Sequence, residues 1–254
     1  MTHKYGFKEI IASRAAIGTF LFSGEADNVE VLGYAGFDFV IICTEHASNG
    51  VHNLTGLLRA ADVSGIMPIV RVTENNAALI TKVLDAGAGG VLIPHVITAD
   101  QAKSAVKAAK YGPQGERGLA GIVRAARYGF TPLKEYTMAQ NKDSLVIVQI
   151  EDVPALENID EILAVEGVDG IFVGPADLSQ SMGIPGQFDN PEFQKVVKDI
   201  IRRGREAGKI AGIFVPTVEG AKQWQKEEAN FLAIAADTVF FAQAARSTVA
   251  AMKD

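Results

Sequence analysis

The stretch of residues 145–179 constrains the fold of this chain more than any other. It contains two short apolar runs, LVIVQI and GIFVG, and between them a helical segment at residues 154–166. Continuous apolar runs are typical of strands that are buried on both faces, as in a parallel sheet covered by helices. A helix between two such strands forms a βαβ unit, in which both strands end at the same edge of the sheet.

The same alternation of strand and helix runs through the whole chain. Eight apolar runs are predicted to be strands, at residues 16–22, 37–43, 67–72, 90–94, 145–150, 170–174, 209–215 and 231–235. Eight βα units in 254 residues are typical of a (β/α)8 TIM barrel. A doubly wound open sheet is the alternative, but the sequence has no GxGxxG or GxxxxGK[ST] nucleotide motif. We predict an α/β protein with one barrel domain over residues 1–254.

Two carboxylates follow the strands of the central unit. Glu151 comes directly after the first strand, and Asp177 lies just beyond the second. Because both strands end at one rim, we expect the two side chains to be neighbours. Mg²⁺ commonly binds one or two carboxylates and completes its octahedron with water and substrate oxygens. Each acid could instead cap the helix that follows it, but the pair on adjacent strand ends favours a divalent-cation site.

Histidines also follow predicted strand ends, where the active site of a barrel lies. His46 stands beside Glu45, and a neutral imidazole there could accept a proton near neutral pH. The alternative is a loop histidine whose ring is satisfied by its neighbours. His52 and His95 also lie near turns at this rim, so the sequence leaves them open as candidates.

Arg71 ends a strand that is otherwise apolar. A guanidinium buried there needs a carboxylate partner, either from a ligand or from a protein acid such as Glu45 or Asp85. The string GPADLS that begins at Gly174 places a helix start after a strand, where backbone N–H groups attract an anion. No lysine ends a predicted strand, so a Schiff-base mechanism has no evident nucleophile.

Composition and charge exclude several classes of partner. The net charge of −6 without a basic cluster disfavours nucleic acid and anionic membranes. The single Cys43 excludes an internal disulfide and is typical of a reducing compartment. The first ten residues lack the apolar segment of a signal peptide, and no apolar run approaches the ~20 residues of a membrane helix. We expect a soluble, cytoplasmic protein.

With these residues identified, the sequence resembles the HpcH/HpaI family of metal-dependent, class II pyruvate aldolases. Relatives in that family include 2-keto-3-deoxy sugar-acid aldolases and 4-hydroxy-2-oxoheptanedioate aldolases. The resemblance is carried by motifs in a specific order: GTF at Gly18, EH at Glu45, PIVRV at Pro68, LDAGAGGVLIPHV at Leu84, YGPQGERG at Tyr111, RAARYG at Arg124, QIE at Gln149 and GVDGIFVGPADLSQSMG at Gly167.

The resemblance implies a role for most of the candidate residues. It implies that Glu151 and Asp177 bind a divalent cation, Mg²⁺ or Mn²⁺, with Co²⁺ and Zn²⁺ as other candidates. It implies that a keto acid is bound by a larger set of residues, namely Arg71, Gln149, Gly174, Pro175 and Ala176. The activity it implies is reversible aldol cleavage of a 4-hydroxy-2-oxo acid to pyruvate and an aldehyde.

The resemblance further implies that His46 transfers the proton of the substrate hydroxyl and that Asp85 supports the His–Arg side of the site. Family members usually carry an aspartate that orients this histidine, but the position is Cys43 here. This departure favours an alternative, decarboxylation of oxaloacetate, which forms the same enolate without a hydroxyl base. A non-catalytic barrel that binds a keto acid is the second alternative.

The resemblance also implies a homo-oligomer. The expected assembly is a hexamer built from dimers that exchange their C-terminal helices, here residues 238–252. The long segment at residues 111–142, predicted to be irregular, would build the aldehyde pocket together with a neighbouring subunit.

Overall fold

The computed structural model describes residues 6–253 and contains a closed barrel of parallel strands. Each strand pairs with the next along the chain, and β8 pairs with β1 to close the barrel. The strands are β1 (Ala16–Leu21), β2 (Phe39–Cys43), β3 (Met67–Arg71), β4 (Gly90–Ile93), β5 (Leu145–Ile150), β6 (Gly170–Val173), β7 (Ile210–Val215) and β8 (Phe231–Ala236). The predicted (β/α)8 barrel is confirmed, and each predicted strand ends within two residues of the observed one.

Helices surround the barrel. They are α1 (Phe7–Ser13), α2 (Ala26–Tyr34), α3 (Val51–Ser64), α4 (Ala77–Asp85), α5 (Ala99–Ala109), α6 (Leu133–Asp143), α7 (Val153–Glu157), α8 (Ile159–Leu163), α9 (Pro175–Ser181), α10 (Pro191–Glu206), α11 (Val218–Lys226) and α12 (Asp237–Ala251). No helix within residues 6–253 combines the length and apolar character needed to cross a membrane.

Two predictions about the helices are wrong. The single helix predicted over residues 154–166 is two short helices, α7 and α8, which meet at Asn158. The segment at residues 111–142 is not irregular throughout, because it contains a 3₁₀ helix (Arg124–Gly129) and most of α6. Only Tyr136 of α6 is buried, so this helix has little of the apolar periodicity by which a helix is predicted.

Aromatic side chains fill the interior of the barrel at the amino ends of the strands, and polar side chains lie at the carboxyl ends. The rings of Phe39 and Phe231 stack 3.9 Å apart, and Phe7 of α1 packs edge-on against both from the amino ends of the strands. Burying one such ring contributes roughly 1.5–3 kcal/mol. Because successive side chains of a strand point to opposite faces, every second residue faces the interior. This alternation carries polar side chains into the uppermost layer, where β3 and β5 end.

Candidate active site

Arg71 and Glu45 form a buried ion pair at the carboxyl ends of β2 and β3. Arg71 Nη1 lies 3.1 Å from Glu45 Oε2, and the guanidinium carbon lies 5.0 Å from the centre of the Phe20 ring. Nη2 donates to Cys43 Sγ at 3.1 Å. Of the two protein acids considered for Arg71, Glu45 is therefore its partner. The pair gives the buried guanidinium an opposite charge and fixes its plane above the aromatic layer.

Glu151 is the most deeply buried acid of this rim, with its side chain 1% exposed. Its Oε1 accepts the backbone N–H of His95 at 2.9 Å, and its Oε2 accepts Gln149 Nε2. Burial raises the pKa of Glu151 above its usual value, although these two hydrogen bonds and the nearby His95 ring lower it. The carboxylate caps neither α7 nor α8, so the capping alternative does not account for it.

Asp177 lies in the first turn of α9, directly after β6, and is half buried. Its negative charge adds to the effects that raise the pKa of Glu151, which places the two carboxylates within electrostatic reach of each other. The βαβ unit therefore brings both predicted acids to one rim. Within residues 6–253, no group of three or more His, Cys, Asp and Glu side chains forms a complete metal site.

Gly174 lies in the sequence between these two acids, and the packing around it bears on whether a cation fits. A Cβ added to Gly174 would overlap the Glu151 carboxylate and approach Gln149 Nε2 within 2.8 Å. The backbone therefore packs directly against the buried carboxylate, and a larger residue would displace it. Fixed carboxylate oxygens are the donors that Mg²⁺ and Mn²⁺ prefer. The residues present fit a hard divalent cation.

Three buried polar atoms of this rim have no hydrogen-bond partner among the residues that the structure describes. They are Arg71 Nε, Gln149 Oε1 and Glu45 Oε2, the last of which is in the ion pair with Arg71. Buried polar groups are nearly always paired, so such atoms indicate a missing ligand or water. A polar ligand that enters the top of the barrel would meet a guanidinium N–H and an amide group beside the two acids. The adjoining residues Pro175 and Ala176 are partly or fully exposed at the same rim.

His46 lies at the rim but its ring is loosely held. Its backbone N–H donates to Cys43 Sγ at 3.3 Å, while Nε2 of the ring is 3.8 Å from Glu45 Oε2, beyond hydrogen-bond distance. The side chain is 57% exposed. The thiol at position 43 thus contacts the backbone of His46 and leaves the ring without an orienting carboxylate.

His95, which the sequence left open, lies at the centre of the acidic cluster. Its Nδ1 is 3.0 Å from Asp152 Oδ2 and 3.4 Å from Glu151 Oε1, and its Nε2 is 3.7 Å from Glu45 Oε1. Burial lowers the pKa of His95, but the hydrogen bond to Asp152 and the charges of the three acids outweigh it, so the pKa is raised. The sequence signal that identifies it is a histidine two residues after β4, facing an acid just after β5.

Asp85, which was expected to support His46 and Arg71, does not lie beside them in this chain. It is the last residue of α4, and helices of a barrel run antiparallel to the strands, so it lies near the opposite end of the barrel from the rim. Asp85 Oδ1 accepts Arg117 Nη2 at 2.5 Å, and the Arg117 side chain is fully buried. Within one chain, the structure does not bring Asp85 to His46 or Arg71.

The chain is similar to known proteins over nearly its full length. Residues 16–244 match the HpcH/HpaI aldolase/citrate lyase family. A 2-keto-3-deoxy-L-rhamnonate aldolase of Escherichia coli O157:H7 is 43% identical over 250 residues, which are 97% of this chain and 92% of that protein.

Solved structures give the same result. A HpcH/HpaI aldolase/citrate lyase family protein from Burkholderia cenocepacia J2315 superposes with a TM-score of 0.93 at 31% identity, over 98% of this chain and 100% of that one. The citrate synthase SbnG superposes with a TM-score of 0.89 at 32% identity, over 98% of each chain. The barrel, its rim of acids and these similarities together show that the chain belongs to the HpcH/HpaI aldolase/citrate lyase family.

Proposed function

We propose that this protein catalyses the reversible aldol cleavage of a 4-hydroxy-2-oxo acid to pyruvate and an aldehyde. One observation supports this most directly. The two carboxylates suited to a cation share a rim with a buried arginine and a buried amide, Arg71 and Gln149, each with an unpartnered polar atom. A keto acid offers the carboxylate and 2-oxo oxygens that such a rim can bind.

The residues of the rim divide the work of binding the keto acid. Glu151 and Asp177 hold the cation, for which Mg²⁺ and Mn²⁺ are the first candidates. The free Nε of Arg71 and the amide of Gln149 face the keto acid, and the backbone of residues 174–176 faces its carboxylate. Arg71 is held by Glu45, so it presents a donor that needs no rearrangement when charge develops on the substrate.

Cleavage needs one proton to move and one bond to break. A base takes the proton of the 4-hydroxyl, the oxygen forms the aldehyde carbonyl, and the C3–C4 electron pair becomes the enolate of pyruvate. A proton then adds to C3. A divalent cation supplies Lewis-acid stabilisation of the enolate oxygen. Arg71 adds a fixed positive charge at the same oxygen, so both act more strongly on the transition state than on the ground state.

The aldehyde is proposed to carry a hydroxyl group. The E. coli relative is named for 2-keto-3-deoxy-L-rhamnonate, and cleavage of that compound between C3 and C4 gives pyruvate and a hydroxyaldehyde. The polar rim formed by His46, His95 and Asp152 is suited to the hydroxyl groups of such a sugar acid.

A screen of aldehydes tests the proposal. Purified protein, stripped of metal with EDTA, is mixed with pyruvate and a series of simple, hydroxylated and acidic aldehydes. We expect condensation only after Mg²⁺ or Mn²⁺ is added, with hydroxyaldehydes the best substrates. Cleavage of the purified product should then release pyruvate. Full activity in the presence of EDTA would contradict the cation site.

Oxaloacetate decarboxylation is the second candidate, and the loosely held His46 ring favours it. Decarboxylation forms the pyruvate enolate from the C–CO₂ electron pair, so it needs no base at a hydroxyl. The same preparation assayed with oxaloacetate separates the candidates. A protein that decarboxylates oxaloacetate and fails with every aldehyde would be a decarboxylase, whereas one that binds keto acids without turnover would be a binding protein.

A homo-oligomer is part of the proposal. Along α12 only Asp237 is buried, and the helix exposes apolar side chains, with Phe241 78% and Val249 52% exposed. Covering that surface with a second copy removes apolar area from water. We expect light scattering of the full chain to give the mass of a multiple of the 27.0 kDa subunit, a hexamer in the assembly favoured here. A mass of one chain would contradict this.

A further inference from the structure

We propose that His95, oriented by Asp152, is the catalytic residue that takes the proton from the substrate hydroxyl. The inference rests on the proposed aldol cleavage and goes beyond it by naming the base. It also departs from what the family resemblance implies, which assigns this proton transfer to His46.

The first argument is the orientation of the imidazole. Asp152 accepts a hydrogen bond from one ring nitrogen, Nδ1, at 3.0 Å. In the neutral imidazole this contact orients the ring with its proton on Nδ1, so Nε2 is the nitrogen that can accept a proton. Nε2 is 3.7 Å from Glu45 Oε1, too far for a hydrogen bond. In many enzymes a histidine acts as general base when a carboxylate orients one ring nitrogen and the other nitrogen accepts the proton.

The second argument is the position of the ring. The backbone N–H of His95 donates to Glu151 Oε1 at 2.9 Å, so the residue is tied to one of the two acids proposed to hold the cation. Its side chain is 55% exposed, which leaves the ring open to a ligand in the cleft. A substrate whose keto oxygen lies beside Glu151 would carry its 4-hydroxyl on the carbon two bonds from the keto carbon, close to this ring.

The third argument is the backbone conformation of His95. Its φ is +52°, in the left-handed region that few residues other than glycine occupy, although asparagine, aspartate and histidine do so more often than the rest. Such a conformation is strained and persists where the surroundings hold it, often at functional sites. Here the bond to Glu151 and the bond to Asp152 hold it. The ring that follows from this strained turn lies among the acids of the rim.

The fourth argument comes from the other histidines that the structure describes. The ring of His46 lies 3.8 Å from Glu45, whose Oε2 is already paired with Arg71. Cys43 supplies no carboxylate to orient it. His52 is exposed on α3. Of these three rings, only that of His95 has a carboxylate within hydrogen-bond distance.

His95 alone can both accept and return the proton that moves in the reaction. Nε2 of His95 accepts the hydroxyl proton as the C3–C4 bond breaks, and the imidazolium then returns a proton to C3 of the enolate, directly or through water. Decarboxylation of oxaloacetate has no hydroxyl proton to remove, so it leaves no proton on Nε2, and its enolate takes the C3 proton from water. The two reactions of one enolate therefore differ in their need for His95.

The experiment compares His95→Asn with His46→Asn, and with His52→Asn as a matched control at an exposed histidine of the first turn of α3. Asparagine tolerates the left-handed conformation, so the turn at position 95 should keep its shape. We expect His95→Asn to lower kcat for aldol cleavage by about 10²- to 10⁴-fold, which is the usual effect of a general base. His46→Asn should lower it less than tenfold, and Asp152→Asn should fall between them.

Two further measurements separate a base from a structural support. Calorimetric titration with Mn²⁺ should give the same affinity for His95→Asn as for the unsubstituted protein, and decarboxylation of oxaloacetate should change less than threefold. Loss of Mn²⁺ binding, equal loss of both reactions, or a larger loss in His46→Asn than in His95→Asn would overturn the inference. If the unsubstituted protein cleaves no hydroxy-oxo acid, the proposed function fails and this inference fails with it; an active protein with an active His95→Asn variant overturns this inference alone.

Discussion

Glu151→Gln should reduce aldol cleavage by about 10³-fold or more and leave the fold at least as stable as before. The activity falls because an amide oxygen is a much weaker ligand than a carboxylate for a hard divalent cation, and stabilisation of the enolate depends on that cation. The fold is spared because the change removes a buried charge and keeps its shape. The Gln149 amide can turn its unpartnered Oε1 toward the new NH₂ group, which gives that group an acceptor.

The stability of Glu151→Gln relative to the original protein should depend on pH. Burial raises the pKa of Glu151, so in metal-free protein the folded state holds a proton that the unfolded state loses. The stability of the metal-free protein therefore decreases as the pH rises from the usual pKa of a glutamate through the raised pKa of Glu151. Glu151→Gln lacks this titration. Urea unfolding in EDTA from pH 5 to pH 8 should show the variant gaining stability relative to the original protein as pH increases.

A matched control removes a negative charge elsewhere. Glu161 is an exposed acid on α8, so Glu161→Gln changes the net charge equally without touching the rim. It should keep its activity and its pH dependence of unfolding. A Glu151→Gln variant with more than a tenth of the original activity would show that Glu151 does not hold the catalytic cation. A variant that unfolds at lower urea than the original at pH 8 would show that the carboxylate stabilises the fold.

Much of the site follows from the sequence because strands impose a simple geometry. Parallel strands that are neighbours in the barrel end at one rim, which is enough to predict that Glu151 and Asp177 lie together. The alternation of side chains along β3 and β5 places Arg71 and Gln149 in the interior. Family membership, predicted from motifs, is confirmed by the match over residues 16–244.

The positions of His95 and Asp85 could not be predicted from the strand pattern. The direction of the His95 ring depends on one left-handed residue in a turn, and no periodic pattern records such a conformation. Asp85 was placed at the site by resemblance, but the direction of α4 carries it toward the other end of the barrel in its own chain, where Arg117 neutralises it. Loop conformation and the choice of ion-pair partner are tertiary properties, which a strand pattern does not contain.

The fold by itself does not decide the reaction. An aldolase and a citrate synthase are both similar to this chain over nearly its full length, at 43% and 32% identity. Sites on a shared barrel differ through a few side chains at the rim. Cys43 and His95 are the residues at this rim whose contacts bear on how a hydroxyl proton is handled, so the chemistry of this chain is best tested there.

Arg71→Lys should lower kcat/KM for aldol cleavage by about 10²- to 10³-fold, the usual effect of removing one donor that stabilises a developing oxyanion. Each nitrogen of the guanidinium has a separate role. Nη1 pairs with Glu45, Nη2 donates to Cys43, and Nε has no protein partner and can donate to the ligand. A single ammonium on a flexible stem cannot reproduce this fork. Lysine still neutralises Glu45, however, so the fold should survive the change. Arg71→Met would not serve, because a buried charge that loses its partner costs about 3–5 kcal/mol.

The split between kinetic constants identifies what Arg71 does. If Nε donates to the enolate oxygen, Arg71→Lys should reduce kcat as well as raise KM, since the charge on that oxygen grows in the transition state. A rise in KM alone would mean that the guanidinium only binds the keto acid. Arg202→Lys is the control, because Arg202 is an exposed arginine with two acidic partners, Asp199 and Glu206, and it should keep full activity. Activity within threefold of the original in Arg71→Lys would reduce Arg71 to a structural partner of Glu45.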